Sequence, residues 1–300
     1  MKRAIQWMRD KARYNGTVEW YNLLFMLKKK KQKVIPVVRS IEETINEIVT
    51  NRSSMSRFGD GEVLLIGKRS IRFQEQSERL SHRLIEVIRS EHAGHVVCIS
   101  DSFTGLERYT RSARRFWRTH FYLYGSLWDT YLIPGRSYFN TFVTRPYIDF
   151  KSKEKCGTWF NLLKSAWDQR SVVMIEGEKS RLGVGNDLFN NAASIRRILC
   201  PPVNAFEKYD RILEKALEQD KEALFLIALG PTATVLAYDL YKNGFQALDV
   251  GHVDIEYEWY RMGATRKVSV PSKYVNEALT GKEIESATGK DYYRQIICKI

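Results

Sequence analysis

The chain has 300 residues, 44% of them hydrophobic and 28% charged, which supplies a full α/β core and excludes a disordered composition. No apolar run reaches the roughly 18 residues of a membrane-spanning helix. The formal net charge of +13 points to an anionic partner: nucleic acid, a membrane surface or a phosphorylated substrate.

Residues 1–35 read as a basic helical extension with a break at Gly16 and an end at Pro36. Within it, Val18, Trp20, Tyr21, Leu23, Leu24, Phe25 and Met26 precede the lysines at 28–31. An aromatic stretch beside a lysine run fits a helix on an anionic bilayer, a helix packed on the domain, or a dimer contact; the three stay open. Ser40 with Glu43 predicts a capping box for a helix through Ile48. A short strand from Met55 to Gly59 then delivers the turn Ser56-Arg57-Phe58-Gly59-Asp60-Gly61-Glu62.

That turn is the most informative stretch of the chain. It sets two carboxylates two residues apart among glycines. Such oxygens suit Mg²⁺ or Mn²⁺, which bind through one or two carboxylates plus substrate phosphates. Arg57 adds a fixed positive charge suited to phosphate oxygens.

Residues 75–91 predict an amphipathic helix with Leu80, Leu84, Val87 and Ile88 on one face, followed by a buried strand over 95–100. Residues 111–133, rich in Arg, Phe, Tyr and Trp, read as one or two aromatic helices, and 152–169 as another helix. The second half alternates more cleanly. Strands are predicted at 171–175, 194–200, 223–229 and 246–250, with helices over 205–219 and from Gly230 to Asn243. About six strands alternating with helices predict a Rossmann-like α/β fold, its largely parallel sheet covered by helices on both faces.

Ligands of open parallel sheets bind at the carboxyl ends of the strands. Four such ends carry polar or glycine-rich signatures. One is the turn with Arg57, Gly59, Asp60, Gly61 and Glu62. A second is the segment 176–190, where glycines including Gly183 allow close backbone approach, Arg181 can clamp phosphate, and Asn186 or Asp187 can cap the next helix. The third is Gly230-Pro231-Thr232, a strand-to-helix turn that offers backbone N–H groups to a phosphate or is simply capped by Thr232. It matches neither a dinucleotide fingerprint nor a Walker loop. The fourth, from Gly251 to Glu258, holds His252, Asp254 and Glu256, three candidates for a general base. If this segment is extended, its alternating acids cannot all face one site.

The four cysteines, Cys98, Cys156, Cys200 and Cys298, lack metal-ligand spacing and read as reduced thiols of a cytosolic protein. The run from Arg108 to Arg118 interleaves arginines with Tyr109, Phe116 and Trp117, a pattern that also occurs in nucleic-acid binders. No recognised nucleic-acid module accompanies it, so no nucleic-acid partner is expected.

Taken together, the turn from Arg57 to Glu62 and the segments 138–149, 176–189, 199–209 and 230–259 resemble the GT-D class of bacterial glycosyltransferases, a family with an Asp-x-Glu signature. The resemblance spans about residues 50–262. It implies a Rossmann-like catalytic domain, taken here as 36–265, with residues 266–300 a tail packed on it. It further implies sugar transfer from a nucleotide-sugar donor, usually UDP-linked, to a lipid-linked or protein-linked glycan acceptor. The divalent metal, Mn²⁺ or Mg²⁺, is placed by the resemblance at Asp60 and Glu62. The expected location is cytoplasmic, with peripheral contact at the inner membrane face through residues 1–31 left open. Another diphosphate-using transferase remains the competing enzyme class.

Overall fold

The computed structural model describes residues 16–27, 33–271, 273 and 290–300. Residues 16–27 are helical (α1). There follow β1 (Val37–Val38), α2 (Ile41–Thr50), β2 (Ser54–Arg57), α3 (Asp60–Ile66), α4 (Glu78–Arg89) and β3 (His95–Ile99). Next come α5 (Arg111–Tyr131), β4 (Ser137–Asn140), α6 (Cys156–Lys164), β5 (Ser171–Gly177), β6 (Ser194–Cys200) and α7 (Tyr209–Leu217). The chain continues through β7 (Leu224–Ala228), α8 (Pro231–Lys242), β8 (Gln246–Asp249), α9 (Val253–Arg261), α10 (Lys290–Arg294) and β9 (Ile296–Lys299).

The strands form one sheet in the order β1-β4-β3-β2-β8-β7-β5-β6-β9, and every pairing is parallel. Nine strands replace the expected six. The three additions are β1 and β4 on one side and β9 at the other edge. They are the two-residue and four-residue pieces whose mixed polarity, as in Ser137-Tyr138-Phe139-Asn140, hides the apolar run of a buried strand. The central strands β5 and β7 are buried almost throughout, as covering on both faces requires.

Local signals act as the residue types dictate. Ser40 Oγ accepts from Glu43 N and the Glu43 carboxylate accepts from Ser40 N, closing the capping box of α2. The apolar face of α4 is buried at Leu80, Leu84, Val87 and Ile88. Residues 111–131 form one continuous helix, capped by Thr110. The segment 205–219 begins as a 3₁₀ turn before α7, and the helix expected over 152–169 is shorter, at 156–164. Helix α8 is buried on nearly every side, and side chains such as Val235, Leu236 and Leu240 each contribute about 1.5–3 kcal/mol by leaving water.

The topology also decides where a ligand can sit. After β2 the chain crosses outward to β3, whereas β8, its neighbour, leads to the far edge at β9. The connections leave these adjacent strands in opposite directions, which opens a crevice at their carboxyl ends. Helix α3 starts after β2 and α9 after β8, so both acidic segments of the sequence arrive at that crevice.

Candidate active site

The crevice is a cavity of about 730 Å³. Its wall includes Arg57, Gly59, Asp60, Gly61 and Glu62 from the β2–α3 junction, Gly177 at the end of β5 with Lys179 and Ser180 after it, Gly230 after β7, and Asp249, Gly251, His252 and Asp254 around the end of β8. Phe73, Phe116, Trp117 and Phe142 supply an aromatic part of the wall, with Arg145 and Asp149 nearby.

Asp60 and Glu62 belong to the first turn of α3 and not to an open turn. Gly59 is the N-cap residue, and its backbone N–H donates to Glu62 Oε2 at 2.8 Å. The macrodipole favours negative charge at this end of a helix. Burial nevertheless pushes the Glu62 carboxyl up to about 7, and the nearby Asp249 and Asp60 charges add to the rise against the Gly59 N–H. Among the described residues no group of three or more His, Cys, Asp or Glu side chains is gathered to hold a metal ion, so Asp60 and Glu62 would supply only two protein ligands, the number with which Mg²⁺ or Mn²⁺ would depend on substrate phosphates.

Arg57, the last residue of β2, is held by Asp249, the last residue of β8. Its Nε donates to the Asp249 backbone oxygen at 2.7 Å, and its Nη2 reaches Asp249 Oδ1 at 3.0 Å. Thr234 donates to the other carboxylate oxygen at 3.2 Å. The guanidinium passes so close to Gly251 (φ +45°) that a Cβ there would lie 1.8 Å from Nη2. Gly230 (φ +54°) is constrained in the same way, since its Cβ would meet the Phe73 ring at 2.6 Å.

The segment after β8 is helical from Val253, so 3.6-residue periodicity separates its acids. His252, at the N-cap position, and Asp254 both touch the cavity. Asp254 is already paired: Asn186 Nδ2 donates to its Oδ1 and Lys273 Nζ to its Oδ2, both at 2.7 Å. Glu256 does not reach the wall. It is fully buried, accepts from the N–H groups of Tyr147 (3.1 Å) and Ile148 (2.9 Å), and faces Arg145 at 3.7 Å. Burial pushes its carboxyl up to about 7, with Arg145 opposing the shift.

Four further expected contacts with ligand also lie off the wall: Arg181, Gly183, Asn186 and Thr232. The loop after β5 folds back so that Lys179 and Ser180 border the cavity in place of Arg181. Asn186 is occupied by Asp254 and Glu258, and Thr232 is buried inside α8 without capping it. Asp249 escaped the sequence reading because it ends an apolar strand and looked like part of it. Its position at the carboxyl end of a parallel strand was the available signal. Lys179 carries no motif signal of its own, and Phe116 and Trp117 stand out in the sequence only as part of the basic and aromatic run from Arg108 to Arg118.

The sequence profile described as the glycosyltransferase GT-D fold matches residues 55–278. The chain belongs to the glycosyltransferase GT-D family. It is 42% identical over 266 residues to the "Probable glycosyl transferase Gly" of Streptococcus gordonii, covering 88% of this chain and 39% of that one. It is 40% identical over 264 residues to "Glycosyltransferase GlyD" of Streptococcus pneumoniae, covering 88% and 32%. The chain thus spans about a third to two-fifths of the length of these relatives. Among solved structures, a GT-D relative described as domain of unknown function 1792 with a distinct glycosyltransferase fold superposes with a TM-score of 0.85 at 40% identity, covering 89% of this chain and 96% of that one. A glycosyltransferase of this type from Streptococcus sanguinis gives 0.85 at 39% identity, covering 88% and 99%. The expected α/β glycosyltransferase fold is therefore that of the GT-D family.

Proposed function

We propose that this GT-D chain transfers a sugar from a nucleotide-sugar donor, UDP-linked, to a glycan acceptor of a surface polysaccharide or glycoprotein, with Mn²⁺ or Mg²⁺ held by Asp60 and Glu62. The observation that carries the reading is the shared cavity at the β2–β8 crevice, where this carboxylate pair meets Arg57, Lys179 and His252. When bound, the metal would offset negative charge on the leaving diphosphate. Lys179 and the Ser180 hydroxyl provide cationic and neutral donors to phosphate oxygens. Arg57, fixed by Asp249, presents its charge without reorganising, which makes it effective against charge that develops late.

An acceptor hydroxyl must lose a proton. Of the three candidate bases, His252 and Asp254 touch the cavity, and His252 carries the imidazole suited to proton transfer near neutral pH. Asp254 is held by Lys273, and Glu256 is off the wall. The Phe116, Trp117 and Phe142 portion offers flat apolar faces for a sugar or a base.

The reading is tested by incubating the protein with a panel of nucleotide-sugars in Mn²⁺, in Mg²⁺ and in EDTA, and following donor hydrolysis. A UDP-sugar should be cleaved only with metal. Full cleavage in EDTA, or no cleavage of any donor, overturns the proposal.

A further inference from the structure

Helix α1 is apolar on the side that faces away from the protein. Its inner face is accounted for. Asn22 Nδ2 donates to the Arg115 backbone oxygen (3.0 Å) and to Thr119 Oγ1 (2.9 Å) on α5. Tyr21 stacks on Tyr122 at 5.5 Å, and Phe25 packs on the core. Glu19, the single charged residue among 16–27, is paired with Arg115 at 2.8 Å.

The opposite face is Trp20, Leu23 and Leu27, spaced at i, i+3 and i+7, with Met26 at its flank. Trp20 is 57% exposed, Leu23 42%, Met26 52% and Leu27 68%. A helix that keeps large apolar side chains exposed on the side away from its packing partner is suited to a second apolar medium there. Phe116 and Leu123 of α5, one turn before and after Thr119 on the flank of the α1 contact, are also exposed. Phe116 lines the cavity as well, so this surface adjoins the mouth of the site.

Charge selects the occupant. The outward face carries one charge at its edge, Glu19, neutralised by Arg115, and the sequence continues directly into the lysines at 28–31 and the exposed Lys33, in a chain of net charge +13. Arg111 is exposed at the start of α5. A neutral aromatic and aliphatic face with Arg118 at its flank, 3.9 Å from the Met26 sulfur, and a lysine run next in sequence complements an anionic lipid surface, apolar groups meeting the acyl boundary and cations the headgroups. A second copy of this chain would bring the same cations together and is disfavoured.

We propose that the outward face of α1 docks on an anionic bilayer and holds the cavity mouth beside Phe116 at the membrane surface. This does not depend on the nature of the donor, and its test does not require transfer.

The experiment is sedimentation of the full chain with vesicles of phosphatidylcholine alone and of phosphatidylcholine with phosphatidylglycerol at roughly one lipid in three. Binding is expected to the anionic vesicles, weakening steeply with salt. Each surface lysine contributes about fivefold, converted from about 1 kcal/mol. The variant Trp20→Ser/Leu23→Ser/Leu27→Ser should bind at least about tenfold more weakly while keeping the wild-type circular-dichroism spectrum. Trp20→Ser alone, which removes the aromatic anchor without adding charge, keeps the test if the triple variant loses secondary structure. Equal vesicle binding by wild type and variants overturns the proposal, as does wild type that binds neither vesicle. A dimer that the same substitutions dissolve, with no vesicle binding, overturns it in favour of self-association.

Discussion

Two helix starts at the same crevice carry the same kind of acid pair and have different fates. Asp60 and Glu62 open α3; Asp254 and Glu256 open α9. At α3 both carboxylates line the cavity, and Glu62 accepts one backbone N–H. At α9 the acids are paired within the protein, Asp254 to Lys273 and Asn186 and Glu256 to two N–H groups and Arg145. A carboxylate whose partners are internal is part of the scaffold. Asp254 borders the cavity too but spends both oxygens on Asn186 and Lys273, whereas Asp60 and Glu62 border it with crowded neighbouring charge and can take a ligand. The difference rests on what packs against each helix and not on residue type.

The comparison breaks most visibly if the α9 acids are not scaffold. Lys273→Ala leaves Asp254 buried beside Glu258 without its cation, and is expected to lower stability by about 3–5 kcal/mol in denaturant melts. An unchanged midpoint would remove the structural role. The complementary change at α3 should spare stability and strike the rate. Asp60→Asn or Glu62→Gln is expected to cost a hundredfold or more in metal-dependent transfer, the several kcal/mol a metal site supplies, with the melting curve retained. Full activity in both variants would sink the assignment of the pair.

Lys179 and Arg181 sharpen the comparison within one loop. Lys179→Ala should weaken UDP binding by about 1.5–3 kcal/mol in calorimetry, whereas Arg181→Ala should change it little, because only Lys179 borders the cavity. The reverse order would put Arg181 back on the donor. The smallest effect on transfer is expected for Glu256→Gln. Its signature is in stability. The Glu256 carboxyl is raised to about 7 in the folded protein, above its ordinary value of 4.5. The folded state therefore holds this proton more tightly. Its contribution is fully present below about 4.5 and is lost as pH rises through about 7. The Gln variant should show a shallower decline, since Glu62, also raised to about 7, keeps its own share, and parallel melts between pH 4.5 and 8 can read the difference.

Much of the fold was legible because its signals are local. The capping box at Ser40 and Glu43, the apolar stripe of α4 and the continuous apolar strands β5 and β7 each act within a few residues. Strands β1, β4 and β9 were not legible, being two to four residues long and completed only by their sheet neighbours. In the site, the carboxylate pair could be read as a motif because both members lie in one short segment. Asp249 and Lys179 could not, since their relation to Asp60 exists only across strands. Whether residues 251–258 are extended or helical stays open in the sequence for a related reason. The apolar and acidic residues alternate there, and packing of Val253 and Tyr257 on one helical face, with Trp259 also buried, selected the helix.

The amino-acid sequence by itself determined the alternation of strands and helices, the acid pair after the second strand and the family resemblance, because each depends on residue order within a segment. Only the tertiary structure decided that β2 lies beside β8, which sets Arg57 against Asp249 and opens the cavity between their carboxyl ends. It also decided that Glu256 and Asn186 face inward and that Lys179 replaces Arg181 on the wall. The physical reason is common to all of these. Whether a polar side chain meets a ligand or a protein partner depends on what chain segments far away in sequence bring within about 3 Å of it.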